Sequence, residues 1–185
     1  QMGSGIAQVA AASGLDVIMN DVKQEFVDKG LKTIGGILAR NVEKGKMTAS
    51  EKDALLGRIK GSVSLKDMAA ANFVVEAATE KQDIKFQIFR DLDQICKPGA
   101  ILATNTSSIP IGRIAAQTQR PGQVIGMHFM NPVPRMELVE LKQRRVPVGC
   151  LPGLEPLGLK QRRQHPPDVG FVVDDQYVRH VSRYR

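Results

Sequence analysis

A histidine and a glutamate in the second half of the chain have the residue types and the spacing needed to move a proton. His128 lies at the end of a predicted apolar strand, residues 124–129, and Glu140 lies in the next predicted strand, residues 138–141. A turn of this length can bring two neighbouring strands together, so that the carboxylate fixes the imidazole tautomer and stabilises the imidazolium. The other ring nitrogen could then take a proton from a substrate hydroxyl. The alternative interpretation is a structural histidine beside an unrelated surface glutamate.

A glycine and an aspartate near the start of the chain have the pattern of a dinucleotide site. Gly3 opens a predicted helix, and Asp21 ends the strand that follows. In dinucleotide-binding units such a glycine allows close helix–strand packing, the helix N-terminus faces the pyrophosphate, and an acidic residue binds the ribose hydroxyls. Asp21 is followed by Val22 rather than arginine, which favours NAD over NADP. A helix that simply begins with glycine explains the same pattern, and both interpretations stay open.

Ser107 is a third polar candidate, in the turn that follows a predicted strand at residues 101–104. Its hydroxyl could form a hydrogen bond at the same sheet edge, or it could cap the helix predicted to begin near Pro110. Metal binding is not expected, because the three histidines have no ligand spacing.

The elements that must position these residues alternate between helix and strand. Amphipathic or capped helices are predicted over residues 4–13, 24–44, 83–96 and from residue 48, and strands over 15–19, 62–65, 72–77, 101–104, 124–129 and 138–141. Short strands alternating with helices predict an α/β fold, a mostly parallel sheet covered on both faces. Ligands of such folds bind beyond the carboxyl ends of the strands. The polar residues cluster at those ends: Asp21, Glu80, Asn105, Ser107, His128 and Asn131.

Composition indicates a globular protein of 185 residues, with 42% hydrophobic and 24% charged residues. No apolar run approaches the roughly 18 residues of a membrane-spanning helix. The net charge of +7 comes largely from residues 143–185, an arginine- and proline-rich tail. This tail has no helical basic stripe, so nucleic-acid binding is not expected.

Five segments together resemble the L-3-hydroxyacyl-CoA dehydrogenase family, and most closely its 3-hydroxybutyryl-CoA dehydrogenase branch. The resemblance covers roughly residues 1–142, and its most specific part is the run His-Phe-x-Asn-Pro-x-Pro that begins at His128. The segments that carry it are Met2-Gly3-Ser4-Gly5-Ile6-Ala7-Gln8, Val74-Val75-Glu76-Ala77, Asn105-Thr106-Ser107-Ser108, residues 126–134 and Met136-Glu137-Leu138-Val139-Glu140.

The resemblance implies an enzyme that oxidises the 3-hydroxyl of an acyl-CoA, passes hydride to NAD and yields a 3-ketoacyl-CoA. His128 would match the family's general base, Glu140 its orienting partner, and Ser107 the residue that hydrogen-bonds the reacting oxygen. Asp21 would match the ligand of the adenosine ribose. The other residues at positions where the family contacts NAD are Glu80, Lys85 and Asn105.

The family also implies a doubly wound, Rossmann-type sheet and a homodimer formed through a separate C-terminal helical domain. Its first strand and first two glycines have no counterpart before Gln1, which predicts an interior gap in the sheet. The family pattern stops after Lys142. We therefore expect an incomplete dehydrogenase domain over residues 1–142 and an irregular tail over residues 143–185, with one strand-like stretch at residues 170–173.

Two points stay open at this level. The alternative to a dehydrogenase is an inactive chain that keeps the fold as a structural or interaction protein. We expect a cytoplasmic location, and a mitochondrial matrix or peroxisomal location also fits the sequence.

Overall fold

The structure, a computed structural model, describes residues 2–136, 138–142 and 169–173. The helices are α1 (Met2–Ala12), α2 (Gln24–Glu43), α3 (Ala49–Gly57), α4 (Gln82–Ile95) and α5 (Ile111–Ala115). The strands are β1 (Val17–Asn20), β2 (Ile59–Ser62), β3 (Phe73–Ala77), β4 (Ile101–Thr104), β5 (Val124–Phe129), β6 (Val139–Lys142) and β7 (Val169–Val173). Short 3₁₀ helices lie at Leu65–Ala70, Pro121–Gln123 and Val133–Arg135.

The described strands form one sheet in the order β2-β1-β7-β3-β4-β5-β6. The pairings from β2 to β5 are parallel, and β6 runs antiparallel to β5. The carboxyl ends of the parallel strands therefore lie along one edge, where the polar residues were expected to meet. The predicted α/β fold with a mostly parallel sheet is confirmed.

Strand β7 occupies the centre of the sheet, between β1 and β3. Its residues are in parallel register with Val17–Asn20 on one side and with Phe73–Ala77 on the other. The expected interior gap is thus corrected: a strand from the far end of the sequence pairs with both open edges. Unpaired strand edges have unsatisfied N–H and C=O groups, which is the physical reason for a strand to fill this position.

Helices cover both faces of the sheet and divide the core in two. One cluster joins buried residues of α1, α2 and α3 to the sheet, including Ile6, Val27, Ile34 and Leu55. The other joins α4 and α5 to the opposite face and includes Met68, Phe89, Leu92, Leu102 and Ile114. In α2 the buried positions Val27, Gly30, Ile34 and Leu38 are three or four residues apart, the spacing of one helical face.

Local hydrogen bonds explain where some elements begin and end. Thr48 and Glu51 form the predicted capping box of α3, each side chain accepting the other residue's backbone N–H. The strand expected at residues 62–65 is wrong, since β2 ends at Ser62. The Ser62 hydroxyl accepts the Ser64 N–H at 3.0 Å and donates to Asp67 Oδ2 at 2.6 Å, which turns the chain into a 3₁₀ helix.

Among the helices of the described residues, none combines the length and the apolar character of a membrane-spanning helix.

Candidate active site

A cavity of about 320 Å³ lies at the carboxyl ends of β3, β4 and β5. Five of the polar residues expected at this edge line it: Glu80, Asn105, Ser107, His128 and Asn131. Met2, in the first turn of α1, lines it as well. Since a helix N-terminus carries a partial positive charge, this wall of the cavity favours an anionic or polar ligand.

His128 and Glu140 face each other across the β5–β6 pair. They are register partners in the antiparallel ladder, and His128 Nδ1 lies 3.3 Å from Glu140 Oε2. The hydrogen bond with His128, followed by contacts with Lys142, lowers the pKa of Glu140 below its ordinary value. A carboxylate beside Nδ1 favours the tautomer with hydrogen on Nδ1, so Nε2 is left as the basic nitrogen.

Glu80 holds the turn that carries Ser107. Its Oε1 accepts the Ser107 N–H at 2.7 Å and the Ser107 hydroxyl at 3.1 Å, and its Oε2 accepts the Thr106 hydroxyl at 2.7 Å. Partial burial alone would raise the pKa of Glu80, but the Ser107 N–H, the Thr106 hydroxyl and the Lys85 ammonium together lower it. Glu80 therefore stays ionised near neutral pH and orders one wall of the cavity.

Ser107 does not cap the following helix. Pro110 occupies the N-cap position of α5 without a side-chain bond, and the Thr106 hydroxyl accepts the Ile109 N–H at 3.1 Å in the turn before the helix. Ser107 is exposed and lines the same cavity as His128. Its hydroxyl is thus available to a ligand as well as to Glu80.

Asn105 ties three strand ends together. Its side-chain Oδ1 accepts the Phe129 N–H at 2.8 Å, and its backbone N–H donates to the Glu76 carbonyl at 2.7 Å. The first bond fixes the backbone beside His128, and the second fixes the turn after β4 against β3. Because Oδ1 is engaged, the Asn105 amide is oriented with its NH₂ group as the remaining donor.

Lys85 was expected to contact a cofactor, and the structure places it in the interior instead. Its side chain is fully buried, with Nζ at 2.8 Å from Glu76 Oε1 and 3.0 Å from Glu76 Oε2. Its Nζ also donates to the Ala78 carbonyl at 3.3 Å. Any action of Lys85 on a ligand in the cavity therefore passes through its neighbours rather than through direct contact from this position.

Asp21 and Gly3, the two residues predicted to bind a dinucleotide, lie at the end of β1 and in the first turn of α1. Asp21 is 2% exposed and directly follows β1, and its Oδ1 accepts the Val22 N–H at 2.7 Å. Gly3 is buried in the first turn of α1, the helix that packs on β1 and β7. Asp21 therefore lies on the first half of the sheet and His128 on the second, and the N-terminus of α1 reaches the cavity that His128 lines. This arrangement fits a dinucleotide bound across the sheet edge.

A second cavity of about 360 Å³ lies between α1, α2 and the turn after Asn131. Asn131 lines both cavities. Gln8 lines the second one, and its Oε1 is buried without a hydrogen-bond partner among the described residues. Lys29 also lines it. The second cavity therefore offers an acceptor and a cation to a ligand that reaches the first.

Sequence reasoning missed Glu76, Thr104 and Thr106 as parts of this site. A signal was present for Glu76, because an acidic residue within an apolar strand that is covered on both faces must be paired. The described residues contain no group of three or more His, Cys, Asp or Glu side chains that could hold a metal ion.

The fold and the site define a dinucleotide-binding domain with a histidine–carboxylate pair beside the nucleotide cleft. Comparison with known proteins makes this specific, since residues 1–145 match the model of the 3-hydroxyacyl-CoA dehydrogenase NAD binding domain. The chain belongs to this family. The membership confirms the predicted family resemblance and indicates NAD as the cofactor.

Individual relatives agree with this assignment. A probable 3-hydroxybutyryl-CoA dehydrogenase of Deinococcus radiodurans is 55% identical over 141 residues, which cover 76% of this chain and 50% of the relative. A similar protein of Bacillus subtilis is 52% identical, with 76% and 49% covered. The crystal structure of (S)-3-hydroxybutyryl-CoA dehydrogenase from Ralstonia eutropha is 48% identical, covers 75% of this chain and 49% of that one, and superposes with a TM-score of 0.74. The chain spans about half the length of these relatives.

Proposed function

We propose that this chain carries the NAD-dependent oxidation of an L-3-hydroxyacyl-CoA to a 3-ketoacyl-CoA, with 3-hydroxybutyryl-CoA as the substrate. The observation that carries this proposal is the His128–Glu140 pair at a cavity also lined by Ser107. The bacterial 3-hydroxybutyryl-CoA dehydrogenases to which the chain is similar support the choice of reaction and substrate.

His128 is proposed as the general base. Glu140 holds Nδ1 at 3.3 Å, so that Nε2 takes the proton of the 3-hydroxyl and Glu140 stabilises the imidazolium that forms. As the O–H bond breaks, the C3–H bond breaks with its electron pair, and a ketone forms at C3. Ser107 is proposed to turn its O–H from Glu80 Oε1 to the reacting oxygen, donate a hydrogen bond to it and orient the hydroxyl toward His128.

NAD, when bound, supplies the acceptor for that hydride. Asp21 is proposed to bind the adenosine ribose and Gly3 to allow the pyrophosphate to approach α1. Glu80 and Asn105 are proposed to line the nicotinamide half, because both lie at the cavity with His128. Lys85 is proposed to act on the nicotinamide half indirectly, from its buried position, by holding the residues that line the cavity. Its ammonium stays on Glu76 and lies 4.0 Å from Glu80 Oε2.

The second cavity is proposed as the route of the acyl-CoA chain. Asn131 separates it from His128, which gives an elongated thioester access to the base. Gln8 Oε1 is buried and has no hydrogen-bond donor among the described residues, and an amide N–H of a pantetheine chain would supply one. Lys29 offers a cation to the phosphates. Replacing Lys29 with alanine should raise KM for the acyl-CoA and leave KM for NAD unchanged. A KM for the acyl-CoA that is the same in the variant and in the unmodified chain would argue against this route.

Turnover tests the proposed chemistry. The chain is supplied with L-3-hydroxybutyryl-CoA and NAD, and NADH absorbance is followed. Replacing His128 with glutamine should lower kcat by about 10²–10⁴-fold, the usual contribution of a general base. Glu140→Gln should lower kcat less and should alter the acid limb of the pH profile. Unchanged turnover by the His128 variant would refute the assignment of the base, and no turnover by the unmodified chain would refute the proposed reaction.

The remaining expectations stand as proposals. They are a dehydrogenase domain over residues 1–142 with an irregular tail over residues 143–185, of which β7 pairs within the sheet, a cytoplasmic location, which the bacterial relatives support, and a homodimer formed through a further helical domain.

A further inference from the structure

An ion pair buried beneath the cavity has no part in the proposed proton transfer. Glu76 at the end of β3 and Lys85 in the first turn of α4 both have fully buried side chains. Taking two charges out of water is costly, and their mutual attraction compensates only when the remaining hydrogen-bonding capacity is also satisfied. Because this buried pair lies next to the cavity, we ask whether it positions the residues of the cavity wall as well as stabilising the fold.

The Glu76 carboxylate is fully satisfied and joins three segments. Its Oε1 accepts the Ala78 N–H at 2.6 Å and Lys85 Nζ at 2.8 Å. Its Oε2 accepts the Thr104 hydroxyl at 2.7 Å, and Thr104 is the register partner of Glu76 on the neighbouring strand β4. One carboxylate therefore fixes the end of β3, the end of β4 and the start of α4 relative to each other.

The same network reaches the wall of the cavity. Lys85 Nζ donates to the Ala78 carbonyl at 3.3 Å and lies 4.0 Å from Glu80 Oε2. Ala78 and Glu80 line the cavity, and Glu80 holds the backbone and the hydroxyl of Ser107. Moving Glu76 would thus displace the turn after β3 and, through Glu80, the turn that carries Ser107.

We propose that Glu76 is a positioning residue for the nicotinamide half of the cofactor site: its buried carboxylate sets Lys85, the turn after β3 and, through them, Glu80 and Ser107. The proposal rests on the proposed function, since it assumes that the nicotinamide half lies at this cavity. Glu76 touches neither the cavity nor the reacting atoms, so it acts only through its neighbours.

The position of Glu76 makes a specific prediction about the two halves of the ligand. Asp21, proposed for the adenosine ribose, follows β1, which lies on the other side of β7 from β3. Among the described residues, the Glu76 side chain bonds to Ala78, Lys85 and Thr104, none of which lies on β1. A defect at Glu76 should therefore weaken binding of NAD and leave binding of ADP, which lacks the nicotinamide half, unchanged.

The experiment compares Glu76→Gln with a matched control, Asp93→Asn, on the helix α4 that carries Lys85. Asp93 is 2.7 Å from Arg120 Nε, and both side chains are largely buried near the other end of α4. Each substitution removes one carboxylate from an ion pair at nearly constant shape. Kd values for NAD and ADP are measured by calorimetry. Glu76→Gln should weaken NAD binding by about tenfold or more, since small misplacements at a site have effects of this size, and should change ADP binding less than about twofold. Asp93→Asn should change neither Kd.

A second readout needs no cofactor. The Ser107 amide, which donates to Glu80, should exchange with solvent faster in Glu76→Gln than in Asp93→Asn. If Glu76→Gln fails to fold, Thr104→Val replaces it, because that variant removes one bond to Glu76 Oε2 without altering charge, and a smaller shift in the same direction is expected.

The outcomes separate this inference from the proposed function. Unchanged NAD binding with unchanged Ser107 exchange would overturn the role of Glu76, and so would an equal loss of NAD and ADP binding. An unmodified chain that binds ADP and NAD with the same affinity would overturn the placement of the nicotinamide half instead, and the exchange readout would then decide on Glu76 by itself.

Discussion

Removing one member of the Glu76–Lys85 ion pair should destabilise the protein more than removing both charges together. In Glu76→Gln, the Lys85 ammonium stays buried without its carboxylate. In Lys85→Met, the carboxylate stays buried without its ammonium. The double variant holds no charge there, and the glutamine amide can still accept the Ala78 N–H and donate to the Thr104 hydroxyl, at positions where Glu76 now bonds at 2.6 and 2.7 Å.

The size of the effect follows from the burial of both side chains, which is complete. Breaking a buried pair from one side costs about 3–5 kcal/mol, against a total stability of roughly 5–15 kcal/mol. Glu80, 4.0 Å from Lys85 Nζ and partly exposed, offers the ammonium a second but screened carboxylate, so we expect the lower end, about 3 kcal/mol, for Glu76→Gln. The melting temperature should then fall by roughly 6–12 °C.

Urea denaturation of the unmodified chain, the two single variants and the double variant, followed by circular dichroism, measures the coupling between Glu76 and Lys85. The double variant should be more stable than Glu76→Gln by about 2 kcal/mol or more, so that its loss of stability falls well short of the sum of the two single losses. Single losses below about 1 kcal/mol, or losses that simply add in the double variant, would refute the view that charge compensation dominates at this position.

Three further predictions concern the sheet, the helix–turn contact and the response to pH. Gly170→Pro removes an N–H from a strand that is paired on both sides, so it should lower the free energy of unfolding by about 3 kcal/mol in urea titrations, and a change under about 1 kcal/mol would argue against the central position of β7. A Cβ added at Gly5 would lie 2.9 Å from Val133 Cβ, so Gly5→Ala should cost about 1–3 kcal/mol of stability and shift the NMR signals of Asn131; unchanged signals would contradict this contact. The pKa of Glu80 is lowered in the folded state, so the ionised Glu80 stabilises the fold above the unfolded pKa of the carboxyl group, and this stabilisation is lost as pH falls through the folded pKa. The urea midpoint of Glu80→Gln should therefore fall less steeply with decreasing pH than that of the unmodified chain. Parallel curves of urea midpoint against pH would contradict this role of Glu80.

The sequence predicted those parts of the site in which a local pattern fixes the geometry. Strands β4 and β5 have the predicted bounds, because short apolar runs between turn residues leave little choice of register. His128 and Glu140 meet because a turn of this length brings two adjacent strands into an antiparallel pair, in which opposite residues are close. Their roles in catalysis stay predictions.

Contacts between distant segments could not be predicted in the same way. The pairing of β7 with β1 and β3 joins residues far apart in the sequence, and a five-residue apolar stretch does not specify its partner. Lys85 was assigned to the cofactor by resemblance, whereas its burial depends on Glu76 and on the packing of α4 against the sheet. A buried charge pair is specified by three-dimensional proximity, and one sequence shows only that both residues are present.

The central claim is that the edge of the sheet from Asp21 to His128 binds NAD, with the Asp21 carboxylate on the adenosine ribose. Calorimetric titration of the unmodified chain with NAD and with NADP tests it most directly. NAD should bind saturably at one site, and NADP should bind more weakly by about tenfold or more, since the 2′-phosphate would lie against a carboxylate. Asp21→Asn should reduce that difference. No binding of NAD, or equal binding of the two nucleotides by the unmodified chain, would contradict the account.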